Sequence, residues 1–151
     1  MIRVICVGSL KEKYLSDAVD EYLKRLKKYG HVEVIELLDE GIDDKVVALR
    51  KEKERILRFV SPKDYLVTME IEGNEYSSPE FSTLLSRLEM THPNITFLIG
   101  GSYGLDEDIR KRSNLRISFS HMTFPHQLFR VMLLEQIYRA YKIKSGESYH
   151  K

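Results

Sequence analysis

Apolar and polar residues follow one another along this chain in a pattern that predicts alternating strands and helices. Short apolar runs rich in β-branched residues predict five strands. These runs are Ile2 to Val7, Val32 to Leu37, Tyr65 to Ile71, Ile95 to Ile99 and Leu115 to Phe119. Helical patterns and short connections separate them, which favours an α/β fold with a parallel sheet and helices on both faces. We expect residues 1–151 to form a single domain, since this length can bury one core.

Three amphipathic segments predict the earlier helices. The first has an apolar stripe made of Leu15, Ala18, Val19, Tyr22, Leu26 and Tyr29. Gly30 is predicted to end this helix. The second, Asp43 to Val60, has a narrower stripe among alternating charges, which is typical of a solvated helix face. In the third, Ser78 before Pro79 predicts an N-cap, and the helix should end before Pro93.

The last predicted helix, His126 to Lys144, has apolar residues around its whole axis and no clean polar face. One side should pack on the sheet, and the other needs a further partner. A second copy of the chain is the simplest candidate, so we predict a homodimer. Within this helix, Glu135 is predicted to pair with Arg130 or Arg139.

Charge is unevenly distributed along the chain, although the net charge is only +1. Residues 109–151 hold nine Lys and Arg residues against two acidic ones, a net charge of +7, and residues 1–108 carry −6. This asymmetry favours a polyanionic partner.

The remaining composition narrows the class of protein. The single cysteine, Cys6, lies in an apolar run and is predicted to be buried, and one cysteine excludes a disulfide framework. The histidines lack the spacing of a metal site, so we predict none. The apolar runs are too short for a membrane-spanning helix or a secretory signal, and we expect a cytoplasmic protein.

Two loops at predicted strand ends carry the candidate chemistry. Gly100, Gly101 and Gly104 follow one strand, and the small, hydroxylic and apolar loop from Ser118 to Pro125 follows another. In a parallel sheet both loops emerge at the same edge and can enclose one ligand. Their composition suits an adenine or thioether better than a triphosphate. The glycines match neither the dinucleotide fingerprint nor the P-loop, and a plain turn is the alternative interpretation.

The polar terminus Ser148-Tyr149-His150-Lys151 is predicted either to be disordered or to fold over a site. In the folded case, the aromatic and basic side chains could stack on an extruded base and contact phosphate.

Three segments together resemble a known family: IRVICVGSLKEKY, FLIGGSYGL and ISFSHMTFPHQLFRVMLLEQIYRAYKIKSGESYHK. They resemble the RlmH group of SPOUT methyltransferases, over essentially the whole chain. The resemblance implies a homodimer with a trefoil knot in its carboxyl-terminal part. It also implies S-adenosylmethionine-dependent methylation of N3 of a pseudouridine in 23S ribosomal RNA, on the assembled ribosome.

The resemblance also implies site residues. The family's cofactor contacts fall on Met69, Gly100, Phe119, Ser120, His121, Met122, Thr123 and Phe124, and Gly101 of the glycine loop is added to them. Tyr149 and His150 are the candidate catalytic residues, closing over the target base, with His150 as the proton acceptor. The group's final arginine is Lys151 here.

The basic half supplies the candidate RNA contacts. These are Arg130, Arg139, Lys142, Lys144 and Lys151. The same basic half would equally suit a non-enzymatic ribosome-binding or RNA-binding module. A nucleotide-binding oxidoreductase is disfavoured because the dinucleotide fingerprint is incomplete.

Overall fold

Strands and helices alternate along the chain, as the hydrophobic pattern predicts. A computed structural model of the protein describes residues 1–39 and 41–151. Within these residues the strands are β1 (Ile2–Val7), β2 (Val32–Leu37), β3 (Tyr65–Glu75), β4 (Ile95–Ile99) and β5 (Leu115–Ser118). The helices are α1 (Lys13–Leu26), α2 (Lys45–Leu57), α3 (Ser78–Thr91), α4 (Glu107–Arg112) and α5 (His126–Lys144).

The strands form one sheet in the order β2-β1-β4-β3-β5. Each neighbouring pair is parallel, so the carboxyl ends of all five strands lie at one edge. Strand β4 is buried along its whole length because it lies at the centre of the sheet with helices on both faces. The predicted α/β fold with a parallel sheet is therefore confirmed.

Two apolar clusters fill the space between the sheet and its helices. On one face, Val4 and Phe97 pack with α1, α3 and α5, and Cys6 is buried there as predicted. On the other face, Leu98 packs with Ile56 of α2 and Ile109 of α4. The predicted placement of helices on both faces is confirmed.

Several helix boundaries differ from the predicted ones. Helix α1 ends at Leu26 and not at Tyr29, and α2 lies within the predicted segment. The N-cap of α3 is Ser77, not Ser78: its hydroxyl accepts the Glu80 N–H, and the Glu80 carboxylate accepts the Ser77 N–H. This reciprocal capping box satisfies two amides that would otherwise lack partners at the helix start. Helix α4 was not predicted, since it has only six residues and buries only Ile109.

Strand β3 is longer than predicted and contains an irregularity beside β5. Met69 and Asn74 both pair with Ile117, so residues 70–73 bulge out of the ladder. Gly73 permits this close return, because a Cβ there would lie 2.7 Å from the Ile117 carbonyl carbon. The bulge therefore projects at the carboxyl edge of the sheet.

Arg130 ties the start of α5 to the first two strands. Its side chain is fully buried, and its Nη1 and Nη2 atoms donate to Glu36 Oε2 and to the Gly8 carbonyl oxygen, each at 3.1 Å. The prediction that Arg130 contacts RNA is therefore wrong, because a side chain enclosed in this way cannot reach a phosphate. After the edge strand β5, the chain therefore passes to the carboxyl ends of β1 and β2. The trefoil knot that the resemblance implies stays a prediction.

Replacing Leu98 by alanine should lower the free energy of unfolding by about 3 kcal/mol, because a fully buried side chain would leave a cavity between the sheet and α2. Met90→Ala is the matched control, since Met90 is 85% exposed and its loss should change stability by less than about 0.5 kcal/mol. Urea denaturation at one protein concentration measures both. Equal effects of the two substitutions would contradict this description of the core.

Candidate active site

A cleft of about 730 Å³ opens at the carboxyl ends of β3, β4 and β5. The glycine loop after β4 and the loop between β5 and α5 form two of its walls. Its volume lies in the range of about 300–1,000 Å³ that is usual for small-molecule sites. The two loops that the sequence predicts to share one edge therefore do enclose a common space.

Main-chain contacts shape the glycine loop. The Gly104 N–H donates to the Gly101 carbonyl oxygen at 3.0 Å, and Gly104 has a φ of +78°. A Cβ on Gly100 would lie 2.5 Å from the Gly104 carbonyl oxygen, so no other residue fits there without a shift of the main chain. The turn interpretation and the ligand interpretation of these glycines are compatible, because the tight turn itself is a wall of the cleft.

Local hydrogen bonds and aromatic packing hold the second loop. Ser118 Oγ donates to the Ser120 carbonyl oxygen, and the Met122 N–H donates to Ser120 Oγ, both at 3.0 Å. Phe129 of α5 packs between this loop's two aromatic residues, 4.9 Å from the Phe119 ring centroid and 6.4 Å from that of Phe124. An apolar aromatic wall results, which suits a flat heterocycle.

Most of the predicted cofactor residues are brought together in this cleft. Those that line it are Met69, Gly100, Gly101, Phe119, Ser120, Met122, Thr123 and Phe124. His121 is not among the lining residues: its side chain is 88% exposed, and its Nε2 atom lies 3.1 Å from Glu75 Oε1. A contact between the His121 imidazole and a ligand in the cleft is therefore not supported.

The opposite wall is polar, and the sequence interpretation missed it. Glu70 and Glu72 of the β3 bulge and Arg110 of α4 line this wall. Glu70 accepts from Arg110 Nε at 2.6 Å and from Thr68 Oγ1 at 2.7 Å, so the ion pair fixes the bulge against α4. A local signal for α4 is present in the sequence, since Asp106 caps the helix, acidic residues occupy its first turn and basic residues its last. The bulge depends instead on the pairing of β3 with β5.

Two further lining residues were also missed. Tyr103 donates to the Ile42 and Asp43 carbonyl oxygens at 3.4 and 3.3 Å, which holds the glycine loop against the segment that precedes α2. His126, the first residue of α5, also lines the cleft.

The terminal segment is folded, but it does not cover the cleft of its own chain. The Tyr149 ring packs against Tyr138 at 5.1 Å, and its hydroxyl donates to Glu135 Oε1 at 3.0 Å. The Arg139 guanidinium lies over the Tyr149 ring at 4.7 Å, and its Nη1 atom is 3.1 Å from His150 Nδ1. Arg139 also forms the predicted ion pair with Glu135, at 2.8 Å.

Electrostatics support this folded terminus. Glu147 accepts from Lys142 Nζ at 2.6 Å and from the Tyr29 hydroxyl at 2.7 Å, and these bonds, with that of Lys142 foremost, lower its pKa to about 2. Partial burial, followed by the bond to Glu135, raises the pKa of Tyr149. At neutral pH, Glu147 is therefore an ionised anchor and Tyr149 is a protonated hydrogen-bond donor.

The terminus and the cleft lie at different points along α5. Phe129 lines the cleft, and Arg139, which contacts both Tyr149 and His150, follows about three turns later, roughly 15 Å along the axis. Within one chain, Tyr149 and His150 therefore do not meet a ligand held in the cleft.

Comparison with known proteins identifies the class. A family model described as "Predicted SPOUT methyltransferase" matches residues 1–150. The chain belongs to this family of methyltransferases, and the resemblance noted in the sequence is confirmed. The family implies a methyl donor as cofactor.

Particular relatives carry a more specific name. The chain is 49% identical to "Ribosomal RNA large subunit methyltransferase H" of Clostridium acetobutylicum, with 99% of each chain covered. It is 47% identical to the protein of the same name from Caldicellulosiruptor saccharolyticus, over 100% of both.

A solved structure shares the fold. It is titled as that of "a probable methylase family protein" from Haemophilus influenzae Rd KW20. It matches with a TM-score of 0.57 and 11% identity, covering 99% of this chain and 70% of the other. At this identity the likeness concerns the fold alone.

Among residues 1–39 and 41–151, no helix combines the length and apolar character needed to cross a membrane. The same residues contain no group of three or more His, Cys, Asp or Glu side chains arranged to hold a metal ion.

Replacing Gly100 by alanine should lower the free energy of unfolding by about 1–3 kcal/mol, since the new Cβ would press on the Gly104 carbonyl oxygen. Gly30→Ala is the matched control: Gly30 has no positive φ, and its Cβ would meet only the Tyr141 hydroxyl at 4.0 Å. That change should be neutral or stabilising by up to about 1 kcal/mol. Chemical denaturation measures both, and a neutral Gly100→Ala would disprove the tight loop.

Proposed function

We propose that this protein transfers a methyl group from S-adenosylmethionine to N3 of a pseudouridine in the 23S ribosomal RNA of the assembled ribosome. The cleft at the carboxyl ends of β3, β4 and β5 carries this proposal, because it unites eight of the nine residues expected to bind the cofactor. The names of the full-length relatives support ribosomal RNA of the large subunit as the substrate.

The cleft suits S-adenosylmethionine in its shape and chemistry. Phe119, Phe124 and Phe129 offer an apolar wall to an adenine. The glycine loop exposes main-chain groups, because a Cβ is absent where the chain doubles back. Glu70 and Glu72 on the opposite wall pair with Arg110, so this wall is polar but its charges are largely compensated.

In this reaction the protein has two tasks: to position the target base beside the cofactor and to accept the N3 proton of that base. When bound, the cofactor supplies an electrophilic methyl group on a positively charged sulfur. Tyr149, whose hydroxyl is held by Glu135, is suited to orient the target base by stacking. We assign His150 to accept the N3 proton, because histidine is the side chain that most often acts as a general base.

A homodimer would bring these two halves of the site together. The terminus of one chain lies too far along α5 to reach its own cleft, so a second copy would have to supply it. Leu128, Val131 and Met132 lie on one face of α5, and Leu128 remains 40% exposed. This apolar face supports the predicted contact between copies.

The remaining basic residues of α5 and the terminus are proposed RNA contacts. Lys144 and Lys151 are exposed and available to phosphates. Arg139 and Lys142 are engaged by Glu135 and Glu147, so their charges are already partly compensated. We therefore expect Lys144 and Lys151 to contribute more to RNA affinity than Arg139 and Lys142 do.

Ribosomes from a strain that lacks this enzyme should gain one methyl group on a 23S pseudouridine when they are incubated with the protein and isotope-labelled S-adenosylmethionine. Mass spectrometry of digested RNA measures the gain, with ribosomes incubated without protein as the control. If the protein binds the cofactor in calorimetry but the RNA gains no label, the 23S pseudouridine is excluded as the substrate. Ribosome binding without any cofactor signal would instead favour a non-enzymatic module.

His150→Ala should slow single-turnover methyl transfer at least about 100-fold, because the proton acceptor is lost. Binding of S-adenosylmethionine should change far less than the rate, since His150 is assigned to the target base and not to the cofactor. His31→Ala is the matched control, because the His31 side chain is 68% exposed and lies before β2. A normal single-turnover rate for His150→Ala would remove His150 from the mechanism.

A further inference from the structure

A second basic cluster lies at the carboxyl end of α1, in the acidic part of the sequence. It consists of Lys24, Arg25, Lys27 and Lys28, which flank Leu26. Leu26 is 1% exposed, whereas the four cations are exposed around it. Burial of Leu26 therefore anchors a short segment whose four cations are exposed at the surface.

This α1 cluster adjoins the terminal segment of the same chain. Lys28 Nζ lies 3.3 Å from Glu147 Oε2, and Glu147 also pairs with Lys142 of α5. Arg25 lies over the Tyr138 ring at 5.7 Å, and Tyr138 contacts Tyr149. Through Arg25 and Lys28, the α1 cluster therefore borders the proposed catalytic terminus.

Part of the α1 cluster remains uncompensated. Arg25 has Glu21 at 3.8 Å, and Lys28 shares Glu147. Lys24 and Lys27 have no carboxylate within ion-pair distance among the residues that the structure describes. Exposed cations held this close repel one another, and an anionic partner would relieve that repulsion.

We infer that the α1 cluster binds the phosphate backbone of the RNA substrate, with Lys24 and Lys27 as its main contacts. This inference rests on the proposed function, since the cluster borders the terminus that is to meet the target base. RNA is favoured over an acidic protein because Arg25 and Lys28 of the cluster contact residues beside Tyr149, which is proposed to meet an RNA base. Lys28 of α1 and Lys142 of α5 meet at Glu147, although the sequence separates them by more than a hundred residues.

The test uses the double variant Lys24→Gln with Lys27→Gln, in the full-length protein, and isolated large ribosomal subunits. Binding is measured across a range of potassium chloride concentrations. Each lost phosphate contact should reduce the slope of log affinity against log salt by roughly 0.7–0.9, so the double variant should be shallower by about 1.5. Its affinity at low salt should also fall about tenfold or more.

Two controls separate RNA binding from helix stability. Arg50→Gln with Lys51→Gln removes two exposed charges from α2, on the other face of the sheet, and should leave the slope unchanged. The double variant Lys24→Arg with Lys27→Arg keeps both charges, so its slope of log affinity against log salt should equal that of the wild-type protein. Cations in the last turn also stabilise a helix, but loss of that effect would lower the melting temperature without altering the slope.

Each outcome decides between the α1 surface and its alternatives. A wild-type slope in the Gln variant, or an equal change in the α2 control, would overturn the α1 contact and leave the proposed function intact. An absence of cofactor heat and of methyl transfer in the wild-type protein would instead contradict the proposed function. Retention of the α1 effect in that case would still support an RNA-binding surface.

Discussion

The close approach of the main chain to itself after β4 is the constraint on which the site depends. Gly100 lies where a Cβ would be 2.5 Å from the Gly104 carbonyl oxygen, and the Gly101 and Gly104 main chains bridge one another. Because the chain reverses without side chains in the way, this wall of the cleft is main chain. The space in front of it stays open to the loop after β5, which carries the aromatic wall.

Helix α5 connects this cleft to the rest of the molecule. Arg130 fastens the start of the helix to the ends of β1 and β2, and its neighbour Phe129 reaches into the cleft. Further along, Arg139 and Glu135 hold Tyr149, so one rigid element sets the distance between the cleft and the terminus. That fixed separation is the ground on which we propose that a second copy of the chain supplies the terminus.

The sequence predicts much of this fold, because local patterns determine it. Strands β1, β2 and β4 have their predicted bounds, since short apolar runs in a parallel sheet leave little ambiguity. The bounds of α5 are also as predicted. Helix α4 was missed because it has only six residues and a single buried apolar residue, although Asp106 supplies a local N-cap signal. The β3 bulge was missed because it depends on pairing with β5.

The sequence also predicts only part of the candidate site, namely the part that local patterns determine. The rule that strand ends meet at one edge finds both loops, and the resemblance supplies their roles. Neither the rule nor the resemblance reveals that the His121 side chain lies outside the cleft or that Phe129 lines it. Arg130 was misjudged because its partner, Glu36, lies in another part of the sequence, and a burial of this kind leaves no local signal.

The central claim is that the two loops at the carboxyl edge bind the cofactor. Titration of nitrogen-labelled protein with S-adenosylmethionine, followed by amide chemical shifts, tests it most directly. The account predicts that the largest shifts fall on residues 100–105 and 119–124, with small changes at the amino ends of the strands. Saturable shifts confined to other parts of the molecule, or no shifts in folded protein, would contradict it.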